Sequence, residues 1–268
     1  MFAARALWRE ADDPGEAPRI DEASALREAR RKAQRGLGDA LTLLGRHDDA
    51  LAAHTAALQH SADDVARADA LGRMGAVCFA RGELPQAAAH LEDALAHLGE
   101  RLPASRPGAL AAIAGSTARL AAGLLWPRLP ASARERAVAC LRVRVLNRLT
   151  YINYSFNMTR AVTTHLAALA AAGRVPTTRD AAETFAHHGP LFAGHLPASA
   201  RHHARRAVVV CRREGHLAMQ MTVEFMAGMC FTFQARWDEA TAHFRAAIAL
   251  YPRVGDLPVL QTAHENLA

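Results

Sequence analysis

Leu71-Gly72-Arg73-Met74-Gly75-Ala76-Val77-Cys78-Phe79-Ala80-Arg81-Gly82-Glu83-Leu84-Pro85-Gln86-Ala87-Ala88-Ala89-His90-Leu91-Glu92-Asp93-Ala94 is the stretch whose reading decides the fold. Leu71, Met74, Gly75 and Cys78 recur at the spacing of one helix face, and Leu84, Ala87, Leu91 and Ala94 do so again after a break. Gly82 falls just past the end of the first run. Pro85 falls in the first turn of the second, where its missing N–H costs nothing. That order spells two antiparallel helices joined by a short turn. Ala87 and Ala94, seven apart, lie on one face and let a neighbouring helix approach closely.

The same layout appears on both sides of this unit. Gly45-Arg46-His47-Asp48-Asp49-Ala50 precedes Gly82 to Ala87 by 37 residues, and Ala235-Arg236-Trp237-Asp238-Glu239-Ala240 repeats it near the C-terminus. Alanines seven apart recur as five pairs: Ala50 with Ala57, Ala87 with Ala94, Ala161 with Ala168, Ala200 with Ala207, and Ala240 with Ala247. The steps between pairs are 37 to 40 residues, or 74 from Ala87 to Ala161. Arg213-Glu214-Gly215-His216-Leu217 and Arg253-Val254-Gly255-Asp256-Leu257 are 40 apart, the step from Ala200 to Ala240. Two unrelated landmarks moving by one period mark an internal repeat, in which each hairpin buries its face only against its neighbours. The expected fold is an all-α solenoid of about six antiparallel helical hairpins in a right-handed superhelix. Its close-packing positions are those ten alanines together with Gly38, Gly75 and Gly228.

Residues 1–19 read as a short helix containing Trp8 followed by a linker, Ala11 to Arg19. The solenoid occupies 20–268. Asp21 offers a cap for a helix to about Leu44, and Asp63 or Asp64 caps the helix ending near Arg81. Over 102–149, Pro103, Pro107, Pro127 and Pro130 interrupt the rhythm, and a degenerate unit of helices near 107–125 and 131–155 is expected to fill the 74-residue step. No stretch carries a period-two strand signal. The chain stops partway through what reads as the first helix of another hairpin, so the sequence reads as truncated at its C-terminus.

Composition narrows the class. Hydrophobic residues make up 51% and charged residues 22%, which excludes wholesale disorder. Cys78, Cys140, Cys211 and Cys230 form no Cys-x-x-Cys pair and fall on apolar helix faces, as reduced core residues of a cytoplasmic protein do. Arg5, Arg9 and Glu10 interrupt any signal-peptide core, and no stretch is apolar enough for a membrane span. The net charge of +6 is carried almost wholly by arginine, Lys32 being the sole lysine. Alanine and arginine richness together read as the codon bias of a GC-rich bacterial genome.

Leu71, Met74-Gly75, Cys78, Gly82, Leu84, Ala87, Leu91 and Ala94 resemble the tetratricopeptide repeat. So do Leu37-Gly38, Leu41, Gly45, Ala50 and Ala57, and Ala227-Gly228, Phe231, Trp237, Ala240, Phe244, Ala247 and Pro252. The units at Ala161 and Ala200 match in part. His97-Leu98-Gly99-Glu100-Arg101-Leu102-Pro103, with Arg236-Trp237-Asp238-Glu239-Ala240 and Gly255-Asp256, resembles the C-terminal helical part of large bacterial predicted-ATPase signalling proteins. Such proteins carry an adenylate cyclase or serine/threonine kinase domain ahead of the ATPase. The resemblance covers about residues 25–268 and implies a non-catalytic sensor or scaffold arm that binds a protein or peptide, with any catalytic modules expected in a missing N-terminal portion.

The residues themselves offer no enzyme motif. There is no Gly-x-x-x-x-Gly-Lys-Ser/Thr loop, no Gly-x-Ser-x-Gly elbow and no His-Glu-x-x-His helix, so no cofactor or catalytic residue is assigned. His187, His188, His195, His202 and His203 lie close in sequence but lack i, i+4 ligand spacing and read as surface or inter-helix packing. Three arginine clusters, around Arg31, Arg142 and Arg206, read as solvated faces. Nucleic-acid binding requires them to converge and is the weaker reading. A free-standing repeat adaptor is the alternative to a signalling arm. Arg35, Asp39 and Arg73, at first-helix positions, are the candidate peptide-groove contacts. The large side chains of 151–158 and of Met219 to Phe233 read as space-filling core.

Overall fold

The computed structural model describes residues 18–125, 130 and 132–267. The short helix and linker expected over 1–19 therefore lie outside the described residues up to 17. Among the described residues the regular structure is twelve α-helices and no strand. They are α1 (Pro18–Leu43), α2 (His47–Gln59), α3 (Asp64–Ala80), α4 (Leu84–His97), α5 (Arg106–Leu125) and α6 (Ala133–Phe156). After them come α7 (Met158–Ala172), α8 (Arg179–Phe192), α9 (Pro197–Glu214), α10 (Leu217–Thr232), α11 (Trp237–Val254) and α12 (Leu257–Glu265).

Local chemistry sets these boundaries. The Asp63 carboxylate accepts from Ala66 N at 2.8 Å to start α3, and Ser132, Asn157, Thr178 and Asp256 cap α6, α7, α8 and α12 in the same way. Asp21 is not a cap: α1 already begins at Pro18. Three hairpin turns close with the same pair of backbone hydrogen bonds. Arg46 N donates to Leu41 O, Glu83 N to Cys78 O and Arg236 N to Phe231 O, at 2.9, 2.9 and 3.0 Å. That closure needs a left-handed residue one position earlier, which is Gly45 and Gly82 in two turns and Ala235 (φ 54°) in the third.

α1/α2, α3/α4, α6/α7, α8/α9 and α10/α11 pack as antiparallel hairpins, and α12 packs on α11 as the start of the next unit. The expected degenerate hairpin over 102–149 is not one. α6 pairs with α7 and stacks directly on α3 and α4, while α5 lies against α7 outside the series. The 74-residue step thus holds one hairpin and one inserted helix.

All ten residues of the alanine pairs are second-helix residues and are 3% exposed or less. In three units the first-helix counterparts are glycines sixteen residues before a bulky side chain: Gly38 faces His54, Gly75 faces Leu91 and Gly228 faces Phe244. A Cβ at Gly75 or Gly228 would stand 2.7 Å or 2.5 Å from those side chains, so the hairpin closes only without one. The pairs Ala161 with Ala168 and Ala200 with Ala207 depart from that rule. Ala168 and Ala207 are fully buried, Ala168 in the apolar group built around α3 to α7 and Ala207 in the one running from α6 to α12. Neither has a glycine at the matching first-helix register. The unit of Ala200 and Ala207 reverses the sizes, with His188 on the first helix and Ala204 on the second, and the unit of Ala161 and Ala168 places Leu149 opposite His165.

Polar contacts between hairpins carry the period openly. Arg81 to Asp48, Arg205 to Glu239, Arg144 to Asp180 and Thr184 to Asn147 join residues 33, 34, 36 and 37 apart. Side chains one repeat apart meet because each unit repeats the position of the last.

Candidate functional site

The first helices α1, α3, α6 and α8 stack side by side and present the candidate site. Its polar part holds the three sequence-predicted contacts together. Arg73 pairs with Asp39 across the α1–α3 interface and with Asp69 at 3.1 Å, and Arg35 reaches Asp69 at 3.5 Å. Two guanidinium groups face two carboxylates, so the network is neutral and ties α1 to α3. Arg144 and Asp180 repeat the arrangement between α6 and α8 at 3.3 Å, where the Asn147 amide also donates to Asp180 O at 3.0 Å. A partner segment entering here meets matched charges and gains little from simple Coulomb attraction.

Aromatic rings form the other part. Phe79 of α3 meets Tyr151 of α6 edge-on at 5.5 Å, and Tyr151 in turn meets His187 of α8 at 6.3 Å. The Arg148 guanidinium lies 4.5 Å over the Phe79 ring. Tyr151, Tyr154, Phe156 and Met158 are 51%, 47%, 70% and 52% exposed. The space-filling expectation for 151–158 is thus corrected: Ile152 and Asn153 turn inward, and the large side chains around them face water. Sequence reasoning missed this patch because a stripe of rings at helical spacing fits a buried and an open face equally well. In the Met219 to Phe233 region the expectation holds for Met221 and Phe231, while Phe233 is 50% exposed.

The arginine clusters are largely engaged in pairing. Arg31 binds Glu28, Arg142 binds Leu98 O, Arg201 binds Gln234, and Arg212 binds Glu224.

The histidines do converge, through a residue the sequence pattern did not single out. His165 Nε2 lies 3.0 Å from His188 Nδ1, and His188 Nε2 lies 3.0 Å from Ser199 Oγ. His203 Nδ1 sits 2.9 Å from Ser199 O. Burial holds His165 well below the ordinary histidine range and His188 at about 3, so both are neutral near pH 7. The buried Nδ1 of His165 has no partner among the described residues. A lone pair there costs less than an orphaned N–H, which assigns the protons: His165 Nε2–H donates to His188, and His188 Nε2–H donates to Ser199. Ser199 Oγ is then an acceptor and is not activated as a nucleophile, unlike the serine of a catalytic triad. Among the described residues no group of three His, Cys, Asp or Glu side chains is placed to hold a metal ion, and no helix is long and apolar enough to cross a membrane.

Residues 29–100, which hold α2, α3, α4 and most of α1, match the tetratricopeptide repeat family. No curated protein matches the chain. Among solved structures the fold is similar to BtubC (BKLC) from P. vanneervenii, with a TM-score of 0.53 over 89% of this chain and 92% of that one. At 15% identity the likeness shows the fold alone. The class defined by stacked hairpins, the local family match and this neighbour is an all-α, tetratricopeptide-like solenoid.

Proposed function

We propose that this chain is a non-catalytic protein-interaction segment that holds a partner on its first-helix face. The observation that carries the proposal is the exposed pair Tyr151 and Tyr154, one turn apart on α6, with Tyr151 in edge contact with Phe79 and Arg148 over the Phe79 ring. Exposed contiguous apolar side chains of this kind mark interaction surfaces, and aromatic and arginine side chains are the usual anchors. Arg148 has a ring beneath it and no carboxylate partner among the described residues, which suits a partner segment bearing an acidic residue beside an apolar one. The network of Arg35, Asp39 and Arg73 forms the polar edge of the same set of helices and contributes orientation more than affinity.

The wider setting we propose is a sensor or scaffold arm of a larger ATPase-type signalling protein in the cytoplasm, where the four free cysteines stay reduced. The reading frame around the chain tests that setting: a nucleotide-binding or cyclase module encoded on the same polypeptide supports it, and its absence leaves a free-standing adaptor. The interaction itself is tested by selecting random peptides on the immobilised chain and titrating the winners against the double variant Arg148→Ala, Tyr151→Ser. The expected result is a loss of at least about tenfold in affinity, or 1.4 kcal/mol. Equal binding to both proteins places the partner elsewhere.

A further inference from the structure

A cleft of about 1140 Å³ opens between the inserted helix α5, the second helices α7 and α9, and the end of α8. It is a different surface from that of Tyr151 and Arg148, and a ligand there would be independent of a protein partner at that face. Its long wall is apolar: Ile113 and Leu120 from α5 face Leu166 and Leu169 from α7. Its polar end is a single stripe of α9. Ser199, His203 and Arg206 stand at i, i+4 and i+7, on one face, and all three line the cleft.

Two observations define what this end would bind. The first is charge. Arg119, Arg174 and Arg206 line the cleft, and among the described residues no aspartate or glutamate does. Arg119 is occupied by Ser116 at 2.8 Å, whereas Arg206 has the Phe185 ring 4.3 Å away and no carboxylate partner among the described residues. The second is an unused proton. His188 Nε2 lies 3.0 Å from Ser199 Oγ and, in the tautomer assigned above, donates to it, while His203 Nδ1 donates to the Ser199 carbonyl. The Ser199 hydroxyl hydrogen therefore has no acceptor among the described residues, and it belongs to a side chain lining the cleft beside a cation. An apolar channel ending in a fixed hydroxyl donor and an unpaired guanidinium is complementary to a chain with an acidic head.

We propose that this cleft binds a long-chain aliphatic carboxylate, its chain between α5 and α7 and its carboxylate accepting from Ser199 Oγ and Arg206. The buried His165–His188 pair acts as a positioning device, since it holds Ser199 as an acceptor and turns the hydroxyl hydrogen to the ligand. α5, outside the hairpin series, has its role here as the second wall of the site.

The test is calorimetric titration of the full chain with dodecanoate, below its micelle-forming concentration, alongside dodecanol and dodecyltrimethylammonium. Saturable binding of one dodecanoate per chain is expected, with dodecanol at least about tenfold weaker and the cation not bound. The double variant Ser199→Ala, Arg206→Gln should lose at least about tenfold toward dodecanoate and leave dodecanol unchanged. Ala170→Phe, which fills the cleft from α7, should abolish both and keeps the test open should the double variant not fold. No saturable binding, equal affinity for acid and alcohol, or undiminished binding to Ala170→Phe each overturns the proposal. None of these outcomes bears on peptide binding at Arg148 and Tyr151.

Discussion

Gly228 shows how little atomic space separates a closed hairpin from an open one. Its missing side chain admits the Phe244 ring, and a Cβ there would lie 2.5 Å from that ring, which is itself 1% exposed and has nowhere to retreat. Gly228→Ala should therefore lower stability by about 1–3 kcal/mol, the usual cost of overpacking. Gly36→Ala, with nothing within 4 Å of the added carbon, should raise it by about 0.5–1 kcal/mol. Urea unfolding midpoints of the two variants decide, and a like sign for both would remove the close-approach argument. Ala235 presents the opposite case, a methyl group where the sister turns have none. Its left-handed backbone costs about 1–2 kcal/mol, and glycine's freer unfolded chain takes back about 0.4–1 kcal/mol. Ala235→Gly should thus gain roughly 0.5 kcal/mol and raise the melting midpoint by roughly 1–2 °C.

At the scale of helices, Glu224 ties three elements together. It lies on α10, fully buried, and accepts from Arg212 of α9 at 2.7 Å and from His243 of α11 at 2.8 Å. Burial alone would raise its pKa, but the hydrogen bonds from His243 and Arg212 outweigh it and hold the carboxyl below its ordinary value of 4.5. A carboxylate depressed on folding stabilises fully above its unfolded pKa and loses that contribution as pH falls through the folded one. Glu224→Gln should then cost about 2 kcal/mol at pH 7, with the gap to the parent protein closing below pH 4.5. Denaturant midpoints of both proteins at neutral and acid pH read this directly, and a pH-independent gap would assign the loss to packing. Elements are also where the sequence was least legible. The alanine pairs and Gly38, Gly75 and Gly228 announce close approach because only small residues allow it, and one alanine pair lies in the second helix of each of the five hairpins. Ala168 and Ala207 are buried second-helix residues, whereas the large residues at the glycine register of the first helices, Leu149 and His188, carry no such signal. α5 is about as alanine-rich as α4 and α7. An amphipathic pattern states that a helix has an apolar face and not which helix covers it, so its place on α7 was hidden. The rings of 151–158 were misread for the same reason.

The whole molecule is a row of locally stabilised joints, and its buried side chains divide into three groups in chain order, around α1/α2, around α3 to α7 and from α6 to α12. Its contacts with no sequence signature, such as His165 with His188, arise where two units depart from the glycine-and-large-residue rule. They were invisible because each histidine reads alone as an ordinary core residue. That departure predicts where the row opens first in acid. His165 and His188 are neutral when folded and protonate in the unfolded chain near pH 6.5, with His187 and His203 lowered by burial in the same region. The unfolded state takes up more protons, so their contribution is complete above pH 6.5 and is lost progressively as pH falls below it, for His188 down to about 3, by up to about 1.4 kcal/mol per pH unit for a histidine. α3 and α4 contain no buried histidine. Because a solenoid's stability is a sum over neighbouring units rather than one global value, acid should loosen α7 to α9 while α3 and α4 remain protected. Amide hydrogen exchange between pH 7 and pH 4, corrected for intrinsic rates, should show protection falling in α7, α8 and α9 before α3 and α4. Simultaneous loss in both regions would mean that the row unfolds as one unit and that the histidine joint does not govern it.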